Sequence, residues 1–187
     1  MEVRGLVKRF GEKALFEGLS LSFPEGRVSC LSGPSGSGKT TLLRLLMGLE
    51  TPDAGTILCP RPVSCVFQED RLVEALGAAG NLRLVCGRGR DGEIAALLTA
   101  LGLDPASREP VARWSGGMKR RVAIARALAV PFAALLLDEP FAGLDLENTQ
   151  RAAQVILDMS KGKTVLLVTH EPAQAALMGA QIFSLPG

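Results

Sequence analysis

"LSGPSGSGKTTLL", residues Leu31 to Leu43, sets three glycines, three serines and a lysine between two apolar stretches. Glycine and serine are poor choices for a core helix, and a surface loop is rarely bracketed by such greasy flanks. Val28–Leu31 before it is a short apolar run bounded by turn residues, which suits a buried strand. Thr40–Leu49 after it reads as a helix, stopped near Gly48 with Pro52 beyond. Gly33, Gly38, Lys39 and Thr40 fit the pattern G-x-x-x-x-G-K-[ST]. Glycines at 33, 36 and 38 let the backbone wrap a phosphate with successive N–H groups pointing inward. The helix that starts near Gly38 adds the positive end of its dipole. The loop Gly33, Pro34, Ser35, Gly36, Ser37, Gly38, Lys39, Thr40 and Thr41 is therefore a candidate nucleotide-binding segment. Lys39 sets a full charge against the β- and γ-phosphates, and the Thr40 hydroxyl is placed for Mg²⁺.

The bulk numbers narrow the field. A chain of 187 residues can bury one sizeable core. A net charge of +2 does not mark a nucleic-acid binder, which carries a clustered basic excess. Cys30, Cys59, Cys65 and Cys86 form no CxxC pair and have no histidine nearby, so zinc is not expected. Reduced, mostly buried thiols of a cytosolic protein are the plainer reading. No apolar run reaches the roughly 18 residues of a membrane span, and no signal peptide is evident at the N-terminus.

Strand-like and helix-like segments alternate. Val3–Val7, Leu19–Phe23, Thr56–Leu58 and Val63–Phe67 read as strands, as do Ala133–Leu137, Thr164–Val168 and Gln181–Leu185. Glu93–Leu103, Gly116–Val130, Leu146–Met159 and Pro172–Met178 read as helices. The strand–helix–strand order of the second half implies parallel pairing with right-handed crossovers. Arg71 to Val111 carries weak strand signals and several glycines, which fits a helical insert in an α/β body.

A phosphate loop alone leaves the chemistry open, and the second half of the chain narrows it. "ALLLDEP" (Ala134–Pro140) is an apolar strand ending in two acids. An acid at the end of a parallel strand beside such a loop faces the nucleotide. Asp138 then suits Mg²⁺, and Glu139 suits polarising the attacking water. His170, the single histidine, follows the strand "TVLLVTH" and falls on the same face. Gln68 ends "VSCVFQ", where a neutral amide can serve Mg²⁺ or its water without adding negative charge.

"WSGGMKRRVAIARAL" (Trp114–Leu128) resembles the signature segment of ABC-type ATPases, in which Ser-Gly-Gly opens a helix. Physically it is a second phosphate-binding helix terminus, offering Ser115 and the N–H groups near Gly116 and Gly117. The resemblance covers nearly the whole chain in order: the P-loop, Gln68, Ser115–Gly117, Asp138–Glu139, "AGLD" (Ala142–Asp145) and His170. It implies an α/β P-loop NTPase fold of the ABC ATPase type. That fold has a mostly parallel core sheet, an N-terminal antiparallel β subdomain and an inserted helical subdomain at about 71–130. A single domain over residues 1–187 follows, with no regulatory domain expected after His170.

The resemblance further implies catalytic roles for Lys39, Glu139 and His170, and Mg²⁺ contacts from Thr40, Gln68 and Asp138. Each ATP would be sandwiched between the P-loop of one protomer and Ser115–Gly117 of another, in a head-to-tail homodimer or a pair with a related ATPase subunit. Asp145 then lies at the dimer seam. Phe10 in "KRFG" matches the aromatic residue that stacks on adenine, where the family more often has Tyr; Phe16 is the rival stacker. Trp114 replaces the usual Leu, Met118 replaces the frequent Gln, and "AGLD" lacks the serine often found at its first position.

The implied work is delivered to membrane permease subunits, docked in the groove beside Gln68, with a solute-binding protein as a further partner. The chain would then lie in the cytoplasm, peripheral on the inner face of the membrane. "FQEDRL" and "DEPF" resemble bacterial importers for nitrate, sulfonates, taurine and related small solutes. A soluble ABC ATPase acting on DNA or ribosomes is the rival class. The span from Thr41 to Trp114 is too short for a long coiled coil and lacks sustained heptads. A small-molecule P-loop kinase leaves Ser115–Gly117 unexplained. Trp114 is the single tryptophan and the chain has no tyrosine, so intrinsic fluorescence reports on the signature segment alone. ATP with Mg²⁺ is expected to change that emission in a Glu139→Gln variant, with a midpoint that moves with protein concentration.

Overall fold

The computed structural model describes residues 1–185 as two compact units, each built from separated pieces of chain. The first unit takes Met1–Val63, Phe132–Asp138 and the chain from Gly162 onward. It opens with β1 (Glu2–Phe10) and β2 (Lys13–Ser22), an antiparallel pair, and β4 (Ala54–Leu58) adds to the other side of β1. Register shifts between Val3 and Val7 bulge β1. At that point Gly55 has φ +91°, and a Cβ there would stand 2.4 Å from the Gly5 carbonyl oxygen, so only glycine fits.

The parallel layer of this unit holds β3 (Val28–Ser32), β6 (Ala134–Asp138), β7 (Thr164–Val168) and β8 (Gln181–Ser184), in the spatial order β6-β7-β3-β8. Every residue of β6 and β7 is buried. That explains their unbroken apolar sequences, since strands covered on both faces do not alternate. The register aligns Leu31 with Val168, and Val168 with Asp138. Helix α1 (Lys39–Met47) buries Leu42, Leu43, Leu45 and Leu46. Gly48 ends it in the left-handed conformation, its N–H bonding back to the Arg44 and Leu45 carbonyls. Helix α6 (Pro172–Leu177) precedes β8.

The second unit takes Ser64–Pro131 and Glu139–Lys161. It is helical: α2 (Ala78–Cys86), α3 (Asp91–Ala100), α4 (Gly116–Leu128) and α5 (Leu146–Met159), with a 3₁₀ turn at Val111–Arg113. Strand β5 (Val63–Val66) enters it from the first unit. The core is set by Leu82, Leu98, Leu101, Val122, Ile124 and Ile156, all fully buried. Asn81, also fully buried, closes the loop before α2. Its carboxamide accepts from the Val73 N–H at 2.8 Å and donates to the Val73 and Gly77 carbonyls at 3.2 Å.

The parallel pairing expected from the sequence is present, and the helical insert is too. Two elements differ from the reading. Strand β2 begins at Lys13, six residues before Leu19 (19 − 13), and includes the buried Phe16. Helix α2 lies in a stretch with no helical pattern, because Gly77, Gly80 and Asn81 lower local propensity and the buried Ala78 and Leu82 hold it by packing. No helix among the described residues is long and apolar enough to cross a membrane. Leu166 lies mid-strand in β7 with no exposed surface. Leu166→Ala is expected to cost about 3 kcal/mol in urea unfolding, through lost burial and the cavity left behind.

Candidate functional site

In the first unit, β3, β6 and β7 end in register at the same edge of the parallel layer. The P-loop follows β3, Glu139 follows β6 and His170 follows β7. Pro34, Ser35 and Gly36 are exposed at the tip of the P-loop. Gly38, with φ +94°, is the N-cap of α1 and supplies no side-chain capping bond, so the helix N–H groups stay open to an anion. Lys39 is buried, and its ammonium donates to the Gly33 and Pro34 carbonyls, each at 2.8 Å. Two of its three N–H donors are thereby used. The Ser37 hydroxyl is buried with no partner among the described residues, a donor that an oxyanion held in the loop would satisfy.

Thr40 is exposed and donates its hydroxyl proton to Asp138 Oδ2 at 3.0 Å, across 98 residues of sequence. A hydroxyl and a carboxylate held together fit Mg²⁺, which takes one or two protein oxygens and fills its shell with water and phosphate. No group of three or more His, Cys, Asp or Glu able to hold a metal occurs among the described residues. His170 is exposed just past β7, and the buried Thr169 before it donates to Gln174 Oε1 at 2.6 Å. Phe10 is 52% exposed at the end of β1, with Lys8 Nζ 5.1 Å from its ring centroid, whereas Phe16 is 5% exposed and packs under Gly38. Of the two candidate aromatic residues, only Phe10 offers a free face.

The second unit brings together Gln68, Ser115, Gly116, Gly117 and Asp145 around an open groove of about 660 Å³. Ser115 caps α4, accepting from the Met118 N–H at 3.3 Å, and remains exposed. Gly117 packs closely, since a Cβ there would stand 3.2 Å from the Gly143 carbonyl oxygen, a tight approach, and 3.4 Å from Leu144 Cδ2. Asp145 caps α5: the Asn148 backbone N–H and carboxamide both donate to its carboxylate, at 2.8–3.0 Å. Those bonds, aided by Arg121 and Arg151, hold its pKa below the usual carboxylate range. Trp114 is buried beside Ser115, and its indole N–H has no partner among the described residues.

Sequence reading missed two features here. Glu139 adopts φ +47°, one of two non-glycine residues in the left-handed region among those described; the other is Arg71, φ +49°. Arg120 in α4 is 3% exposed and donates to the carbonyls of that acid and of Pro140 after it. An arginine among basic neighbours on a helix reads as a solvated charge, so composition gave no sign of its burial.

Residues 16–142 match the family model described as ABC transporter. The chain is 39% identical over 189 residues to the aliphatic sulfonates import ATP-binding protein SsuB 1 of Nocardia farcinica (strain IFM 10152), covering 99% of this chain and 77% of that protein. It is 40% identical to SsuB 1 of Pseudomonas syringae pv. tomato (strain ATCC BAA-871 / DC3000), covering 99% and 70%. Among solved structures it resembles the ATP-binding cassette MJ0796, a dimer in a post-hydrolysis state bound to ADP and Pi. The TM-score is 0.85 at 27% identity, over 98% of this chain and 93% of that one.

A Cβ on Gly38 would lie 2.6 Å from Phe16 Cζ. Gly38→Ala is therefore expected to lower the melting temperature, and adding Phe16→Leu to restore part of the loss. The remainder persists because the left-handed backbone still disfavours a Cβ.

Proposed function

The chain belongs to the ABC transporter family and is an ATP-binding, ATP-hydrolysing subunit of such a transporter; from that premise we propose that two copies close head to tail around ATP and drive the import of small sulfonate-class solutes through separate membrane subunits. The observation that carries the dimer reading is the pair of phosphate-binding helix termini on one chain. One opens α1 after Gly38 and the other opens α4 after Ser115. A chain with a single P-loop has no use for the second unless it serves another molecule's nucleotide. The solute class rests on likeness, over 99% of this chain, to proteins named for aliphatic sulfonate import. In this reading the chain works on the cytoplasmic face of a membrane, held by permease subunits, with a solute-binding protein upstream.

Each side chain then has a defined task. Phe10 stacks on the adenine ring. Lys39 and the N–H groups of residues 33–41 neutralise the β- and γ-phosphates. Thr40, Gln68 and Asp138 are the oxygen donors for Mg²⁺, which when bound offsets the charge developing on the transferred phosphoryl group. Glu139 orients the attacking water and draws its proton, while His170 holds the γ-phosphate end of the site. Ser115, Gly116 and Gly117 of the partner protomer close on the same phosphate, and Asp145 lies at the seam between the two molecules. Binding and hydrolysis are thereby coupled to closing and reopening of the pair.

Glu139→Gln keeps the shape and removes the base. It is expected to bind ATP with unchanged affinity and to lower the rate of phosphate release roughly 10²–10⁴-fold. Size-exclusion chromatography should show it dimeric only with ATP, and adding Ser115→Arg should return it to a monomer. Phosphate release equal to that of the unmodified chain would refute the role of Glu139.

A further inference from the structure

Arg120 stands in the second turn of α4 and is 3% exposed. Its guanidinium is spent almost entirely on backbone carbonyls. Nε donates to the Pro140 oxygen at 3.1 Å, and Nη2 donates to the Glu139 oxygen. Nη1 donates to the Phe67 oxygen at 2.6 Å, the Gln68 oxygen at 3.2 Å and Asp70 Oδ1 at 3.1 Å. One side chain thus fastens the loop that carries Glu139 and the loop that carries Gln68 to the helix that Ser115 caps. Arg126, further along the same helix, donates to the Asp70 and Arg71 carbonyls at 3.0 and 2.7 Å.

The pattern has a further regularity. The two non-glycine residues with left-handed backbone among those described are Glu139 and Arg71. The carbonyl of each accepts a bond from an arginine of α4. A left-handed conformation of this kind persists only where surrounding bonds over-determine it. A planar fork with a fixed set of donors does so at several acceptors at once, which a lysine point charge cannot.

We propose that Arg120 is a positioning residue for hydrolysis. It holds Glu139 and Gln68 in working geometry and ties both to the helix terminus that a partner's nucleotide engages. The inference rests on the reading of Glu139 as the group that orients the attacking water. Arg120 touches no reacting atom; it acts through the two loops.

The test compares Arg120→Met, Arg120→Lys, Glu139→Gln and the Arg120→Met/Glu139→Gln double variant in steady-state ATP hydrolysis, with ATP affinity measured separately. Arg120→Met is expected to lower kcat on the order of 100-fold, the penalty of slight misplacement, with KM for ATP within about threefold. Arg120→Lys should recover only a small part. In the Glu139→Gln background Arg120→Met should add almost nothing, because both changes disable one unit. A kcat for Arg120→Met near that of the unmodified chain, or a loss that multiplies fully with Glu139→Gln, would overturn the proposal. If Arg120→Met does not fold, Arg120→Lys decides: a folded variant slowed at least tenfold supports the proposal, and an unslowed one overturns it. Full activity of Glu139→Gln would instead remove the Glu139 reading, and this proposal with it. That result is distinct from failure of Arg120 alone, in which Glu139→Gln is slow and Arg120→Met is not.

Discussion

The registration of the parallel strands is the constraint on which the first unit depends. Leu31, Val168 and Asp138 stand in one row across β3, β7 and β6. Because the strands run the same way, whatever follows each of them emerges on one edge. Slipping a strand by one residue would invert its side chains and misplace its loop together. β6 and β7 have no exposed residue with which to absorb such a slip. The hydroxyl–carboxylate contact of Thr40 and Asp138, between residues far apart in the chain, is the local product of that row.

The second unit solves a different problem. It holds its loops with a helix. Helix α4 offers its first turn, opened by Ser115 and flanked by the turn at Gly143, toward the groove. Its later turns send arginines under the loops at 67–71 and 139–140. The apolar residues between them, Val122, Ile124 and Ala125, are fully buried and fix the rotation of the helix. The hydrophobic face thus decides where the guanidinium groups point.

Much of this was legible in the residues. The P-loop, the acids after an apolar strand and the Ser-Gly-Gly helix start announce themselves because each needs specific residue types at fixed spacing. The parallel strands were legible because full burial forces unbroken apolar runs. The early part of β2 was not, since Lys13 to Gly18 carries charges and a glycine within an edge strand. Helix α2 was hidden by glycines and an asparagine whose value is tertiary: Asn81 is a buried clasp for its own loop, not a helix former. Arg120 and the backbone of Glu139 were hidden for the same reason. Sequence shows a charge and an acid; it does not show that one is bonded to the other's carbonyl.

With the role proposed for Glu139, its left-handed backbone sets stability against activity at one position. For a residue with a side chain this conformation costs on the order of 1–2 kcal/mol, and glycine would relieve it. Selection for thermal robustness alone would therefore drift toward glycine there, yielding a sturdier protein that, in the role proposed for Glu139, is inert. An engineer who consults only a melting curve would discard the carboxylate first.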